Sequence, residues 1–142
     1  MKEIHILLVE DNEGDIMLTT EALREGKIIN KIDVVRDGKK AIEFLTKVAE
    51  YTSVSTPDII VLDVNLPKKN GHEVLQFIKN HKDLKHIPVI MLTTSSSQVD
   101  INKSYENHAN CYITKPVDSE GFMRAIKSME DFWIHIVKLP SN

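Results

Sequence analysis

An α/β domain built on a doubly wound five-stranded parallel sheet is the fold this 142-residue sequence predicts, and three observations predict it. Short, largely apolar runs recur along the chain, each of strand length and several apolar throughout, as strands buried on both faces are. Segments with apolar residues at helical spacing lie between them. The two patterns alternate along the whole chain, and such units wind with right-handed crossovers into a parallel sheet. Periodicity leaves the strand order open.

Ile4–Val9 is the first apolar run, and a helix is expected over Glu13–Glu25, with Ile16, Met17 and Leu23 available for one face and an end near Gly26. A second strand is expected over Ile32–Val35. Asp37-Gly38 ends it, and Ala41, Ile42, Leu45 and Val48 carry a helix through about Glu50. From Tyr51 to Pro57 the chain is rich in Ser and Thr, a connection longer than the usual two to six or so residues of an α/β unit, so something extra is expected there. Ile59-Ile60-Val61-Leu62 forms the central strand, with Asp63 at its carboxyl end. Pro67 and Asn70-Gly71 then turn the chain into a helix marked by Val74, Leu75 and Ile78 and ending near His81.

Ile87–Leu92 is a fourth strand with Pro88 near its start, and it runs into the hydroxyls Thr93-Thr94-Ser95-Ser96-Ser97. A mostly polar, weakly patterned helix follows from about Gln98 to Asn107. Cys111-Tyr112-Ile113 is a short fifth strand closed by Lys115-Pro116. The final helix starts at about Asp118 and places Phe122, Ile126, Met129, Trp133 and Ile136 on one face. Phe132, Ile134 and Val137 add apolar surface outside that face, which suits either a contact with another chain or packing by the tail Lys138–Asn142.

At this length a chain suits one domain and can bury roughly 68–70% of its unfolded surface. With 42% hydrophobic residues and 18 basic against 21 acidic, the composition is globular, and a net charge of −3 speaks against general nucleic-acid binding. Cys111, the one cysteine, excludes an intrachain disulfide and suits a small core residue. The apolar start is interrupted by His5 and too short for a signal or membrane segment, so a cytoplasmic protein is expected. The six histidines have no ligand spacing, and Lys68-Lys69 fits a solvated turn.

If the strands run parallel, Glu10-Asp11, Asp63, Thr93 and Lys115 gather at one carboxyl edge, where open α/β sheets bind ligands. Carboxylates crowded in this way repel, which raises their pKa values or demands a cation. A hard divalent ion such as Mg²⁺ suits them, since it takes oxygen ligands and uses one or two carboxylates beside phosphate oxygens and water. A carboxylate beside Mg²⁺ and a lysine is suited to accepting a phosphoryl group, with a hydroxyl such as that of Thr93 bonding a phosphoryl oxygen.

Glu10-Asp11, Asp63 in Asp-Val-Asn-Leu-Pro with Gly71 behind it, Thr93 and Lys115-Pro116 resemble the signature of two-component response-regulator receiver domains, over nearly the whole chain. The spacing of Thr93 and Lys115 behind Asp63 is that of the chemotaxis regulator. The resemblance implies a flavodoxin-like (βα)5 fold with strand order 2-1-3-4-5 and one receiver domain over residues 1–142 with a C-terminal helix extension at about 130–142. It implies Asp63 as phosphoacceptor, Glu10, Asp11, Asp63 and the backbone carbonyl of Asn65 at Mg²⁺, and Lys115 on the phosphoryl group. Thr93 and Tyr112 are then the switch pair, and the Lys115-Pro116 bond is cis.

The Tyr51–Pro57 loop, the opening Glu-Asp-Asn-Glu-Gly-Asp-Ile and the ending Glu-Asp-Phe-Trp-Ile-His-Ile-Val-Lys-Leu-Pro are similar to the small single-domain regulators paired with bacterial and cyanobacterial phytochromes. That likeness implies a sensor histidine kinase of the red-light-sensing phytochrome kind as phosphodonor and a homodimer through the last helix and the neighbouring strand. The expected output is by docking, dimer exchange or onward phosphotransfer, as in a phosphorelay. Two alternatives are a receiver-shaped binding module that takes no phosphate and a Mg²⁺-dependent aspartyl phosphatase. The phosphatase is disfavoured because Asn65 stands where a general acid is needed. A non-enzymatic switch is expected, in which Thr93 moves toward the phosphoryl group, Tyr112 turns inward and the polar helix after Ser97 shifts.

Overall fold

The computed structural model describes residues 4–25, 29–93 and 111–128. The parallel strands β1 (Ile4–Val9), β2 (Ile29–Val35), β3 (Ile59–Asp63), β4 (Val89–Thr93) and β5 (Cys111–Thr114) stand in the order β2-β1-β3-β4-β5. Helices α1 (Glu13–Glu25), α2 (Gly38–Thr46), α3 (Gly71–Lys79) and α4 (Ser119–Ser128) flank the sheet. The expected helix over 98–107, the serines 95–97, the apolar residues Met129, Phe132, Trp133, Ile134, Ile136 and Val137, and the extension at about 130–142 lie outside the described residues.

Strand side chains alternate between the two faces of the sheet, so an unbroken apolar strand feeds two cores at once. Leu7, Val9, Ile60, Leu62 and Met91 pack with Phe44 and Leu45 of α2 and Val74, Leu75 and Ile78 of α3. Ile6, Leu8, Ile59, Val61, Ile90 and Leu92 pack on the opposite face with Ile16 and Leu23 of α1 and Phe122 and Ile126 of α4. The central strands β1, β3 and β4 are buried at every position.

Several boundaries and one face differ from the sequence expectation, each for a physical reason. Met17 is 61% exposed, because α1 buries the stripe Ile16, Thr19, Ala22 and Leu23, and Met17 lies about 100° round the helix from Ile16. The strand β2 starts at Ile29 rather than Ile32. It pairs by backbone with β1 from Ile4↔Ile29 onward, across a register shift that polar Asn30 and Lys31 conceal from an apolar pattern. Helix α2 stops at Thr46 and not near Glu50, because Lys47 turns left-handed at φ 60 and ψ 43, and the Lys47 and Val48 amides donate back to the carbonyls of Phe44 and Glu43. Val48 is therefore off the helix and exposed.

A single 3-10 turn, Ala49–Tyr51, follows, and Tyr51 stacks at a tilt on Phe44 with ring centroids 5.2 Å apart. The long loop is thus packed: Tyr51 and Val54 lie on the core, and Asp58 exchanges hydrogen bonds with the backbone of His5 at 2.8 and 2.9 Å. His5 is buried and its ring meets Asp33 at 2.7 Å, so it is a structural residue at the end of the sheet remote from Asp63. Strand β4 begins at Val89, after Pro88, which has no amide to give but whose carbonyl accepts from Ile60 at 3.0 Å. Cys111 packs half-buried against the α1–α4 core. Among the described residues no helix is long and apolar enough to cross a membrane.

Candidate phosphorylation and metal site

The carboxyl ends of β1, β3, β4 and β5 meet at one edge, and every site residue expected there arrives. Glu10 directly follows β1, and its amide continues the pairing with β2 by donating to Val35 at 3.0 Å. Its side chain has no exposure, whereas the neighbouring Asp11 is exposed. Asp63 ends β3 and is buried to 3% exposure, and Thr93 ends β4 at 1%. The amide of Lys115 donates to the Thr93 carbonyl at 2.7 Å, which ties the residue after β5 to the end of β4. The Lys115-Pro116 bond is cis.

Lys115 Nζ lies 2.7 Å from Glu10 Oε1, 3.0 Å from Asp63 Oδ2 and 3.1 Å from Asp15 Oδ2. Burial alone pushes the Lys115 ammonium pKa down, but its contact with the Glu10 carboxylate and the hydrogen bonds it donates to Asp63 and Asp15 outweigh this and hold it above the ordinary lysine value. For Glu10, burial comes first and raises the carboxyl from 4.5 to about 7, with Asp63 adding to the rise and Lys115 opposing it. The strand ends have gathered more negative charge than one ammonium neutralises.

Glu10, Asp11 and Asp63 each offer an oxygen, all within 4.8 Å of one another. This donor set is hard and oxygen-only, and Glu10 Oε1, although close to the ammonium, makes no well-directed hydrogen bond in its buried position. Both features fit a small divalent cation. Asn65 is exposed at the start of the loop after β3, and its amide donates to Asp63 Oδ1 at 3.2 Å. Tyr112, half-buried on β5, pairs in register with Met91 and packs toward the α2–α3 core.

The loop after Asp63 is held at both ends. Asn70 caps α3 in a capping box with Glu73, at 3.0 Å in each direction, and the Gly71 amide donates to Val64 at 2.8 Å. The loop's middle touches the start of α2: the Gly38 amide reaches the Pro67 carbonyl at 3.4 Å, and Lys68, at φ 69, pairs with Asp37 at 3.6 Å. Lys68 is thus a contact of the turn as well as a solvated side chain. Asp15 is the residue that sequence reasoning missed. It passes for an ordinary acidic group in the first turn of a helix, and only the tertiary structure brings it to Lys115.

A parallel sheet in this order with an acidic trio and a lysine at its carboxyl edge defines a receiver, and the chain belongs to the response regulator receiver domain family, whose model matches residues 6–127. It is homologous to phytochrome response regulators. It is 44% identical over 136 residues to response regulator Rcp1 of Synechocystis sp., covering 96% of this chain and 92% of that protein. The structure is similar to that of the phosphorylated cyanobacterial phytochrome response regulator RcpA, with a TM-score of 0.80 at 45% identity, covering 99% of this chain and 100% of that one. It is also similar to the Mn²⁺-bound form of Rcp1, with a TM-score of 0.77 at 43% identity over 97% and 99% of the two chains.

Proposed function

We propose that this receiver takes a phosphoryl group onto Asp63 from the phosphohistidine of a sensor histidine kinase. The P–N bond breaks as a P–O bond to the carboxylate forms. The observation that carries this reading is the convergence of Glu10, Asp11 and Asp63 within 4.8 Å, with Lys115 Nζ 3.0 Å from Asp63. Glu10, Asp11, Asp63 and the backbone carbonyl of Asn65 hold Mg²⁺, which when bound neutralises charge on the transferring oxygens. Lys115 contacts the phosphoryl group, and the hydroxyl of Thr93 bonds one of its oxygens.

Asn65 has no acidic proton to deliver, which supports a switch without enzymatic turnover on small phosphate esters. Thr93 and Tyr112 are the switch pair. Reversing a two-state equilibrium from 1:99 to 99:1 needs about 5.5 kcal/mol of differential stabilisation, whereas one hydrogen bond supplies about 1 kcal/mol. Metal, lysine and threonine therefore act together. The relatives' names support a phytochrome as the kinase. In this reading residues 1–142 form one receiver domain with a C-terminal helix extension at about 130–142, it forms a homodimer through the last helix region, and the protein works in the cytoplasm without nucleic acid or membrane, in keeping with its net charge of −3.

Incubation with a small acyl phosphate and Mg²⁺, followed by intact-mass measurement, tests the reading. A base-labile phosphoryl adduct is expected on the native chain and absent from Asp63→Asn. No Mg²⁺-dependent adduct on the native chain refutes it.

A further inference from the structure

An ammonium group has three N–H donors, and those of Lys115 face three carboxylates, of Glu10, Asp63 and Asp15. Two of these belong to the acidic trio that fits a cation. A divalent ion entering the trio competes with the ammonium for Glu10 and Asp63. With its side chain only 9% exposed, Lys115 has little water to replace the bonds it yields, and a buried cation stripped of its partners is costly.

Asp15 lies outside the trio, in the first turn of α1, and its side chain is 36% exposed. It is held there independently of the lysine. Its own amide donates to Asn12 Oδ1 at 2.9 Å, the Ile16 amide donates to the Asn12 carbonyl at 2.9 Å, and Glu13 in the same turn pairs with Arg36 at 2.6 Å. The start of a helix also favours the ionised carboxylate.

We propose that Asp15 is a positioning residue of the phosphorylation site: it remains the partner of Lys115 when the metal takes Glu10 and Asp63, and so lets cation and ammonium occupy the site together. The inference rests on the metal-binding reading of the trio. Without Asp15, Lys115 has its two remaining partners in the metal-free protein and loses both to the cation. Removing Asp15 therefore penalises the metal-bound state more than the metal-free state, and Mg²⁺ binds more weakly.

Calorimetric titration of the full chain with Mg²⁺ tests this without reference to phosphorylation. Asp15→Asn is expected to raise the Mg²⁺ Kd about fivefold, the size of one partly solvated charge-assisted hydrogen bond. Glu13→Gln removes the same unit charge from the same helical turn, where it faces Arg36, and is expected to change Kd less than about twofold. In a Lys115→Met background, Asp15→Asn is expected to do no more than Glu13→Gln does. Asp15→Ala, which removes the acceptor as well, weakens binding at least as much as Asp15→Asn, and matching thermal unfolding curves confirm that the variants are folded. An effect of Asp15→Asn no larger than that of Glu13→Gln, or equally large with and without Lys115, overturns the proposal. A native chain that binds no Mg²⁺ refutes the metal-site reading itself, a separate outcome.

Discussion

Gly71→Ala adds one methyl group at the first residue of α3, and the structure sets two opposed effects on it. Alanine gains about 0.4–1 kcal/mol over glycine wherever the backbone is compatible, and Gly71 does not have a positive φ. Against this, the new Cβ falls 2.8 Å from the Val64 Cα and 3.0 Å from the Asp63 carbonyl carbon, with the Asp63 carbonyl oxygen nearer still. Comfortable contact between carbons begins near 3.5–4.0 Å, so the end of β3 and the start of α3 must separate by about 1 Å. The obstacle is backbone on both sides and no rotamer change relieves it, which places the cost near the upper end of the roughly 1–3 kcal/mol for overpacking. The clash wins, with a net loss of about 2 kcal/mol and a fall in Tm of about 6 °C. Because the displaced atoms belong to Asp63, phosphorylation suffers as well. A misplacement of about 1 Å at a reacting group costs up to about a hundredfold in rate, and at least a tenfold drop is expected. Thermal unfolding followed by circular dichroism and timed intact-mass measurement read the two effects, with Gly14→Ala as control, since its Cβ meets only the Asn12 side chain, at 3.3 Å. An unchanged or raised Tm for Gly71→Ala, with native phosphorylation, refutes the steric reasoning.

The raised carboxyl of Glu10 predicts a pH dependence. The folded protein keeps this proton up to about pH 7, while the unfolded chain releases it near 4.5. The contribution is therefore complete below the unfolded value and is lost as pH rises through the folded one, by up to about 3 kcal/mol. Urea unfolding in the presence of a chelator, from about pH 5 to about pH 8, is expected to show this decline. Mg²⁺ reduces it by stabilising the ionised form, and the same slope in Glu10→Gln contradicts the assignment. Asn70→Ala removes the side-chain acceptor of the capping box on α3, which takes the Glu73 amide, and is expected to cost about 1 kcal/mol, read as a lower urea midpoint at unchanged slope. A midpoint equal to the native one shows that the cap contributes nothing net.

Much of this molecule is legible without coordinates, and the reason is burial. The central strands Ile4–Val9 and Ile59–Asp63 are covered on both faces, so apart from His5, which is paired with Asp33, their residues are apolar until the chain reaches its ligand edge, and the first acidic residues mark that edge. Where burial is one-sided or a backbone device intervenes, the pattern misleads. The β2 edge strand starts three residues earlier than its apolar run, because its first partners are backbone groups of β1. Helix α2 ends at a left-handed lysine that carries none of the glycine signal expected of such a turn. Met17 looks equivalent to Ile16 in one dimension and lies in solvent in three.

The sequence by itself determined the fold class, the alternation that winds it, and the residue types at each strand end, because periodic burial is written locally. The order of the strands came from resemblance, and the pairing in the structure bears it out. What only the tertiary structure decided is how charge is distributed at the edge. One lysine serves Glu10, Asp63 and Asp15, residues as many as 105 positions away from it, and Glu10 is left fully buried. Such a balance depends on distances across strand ends and on exclusion of water, neither of which a one-dimensional pattern contains.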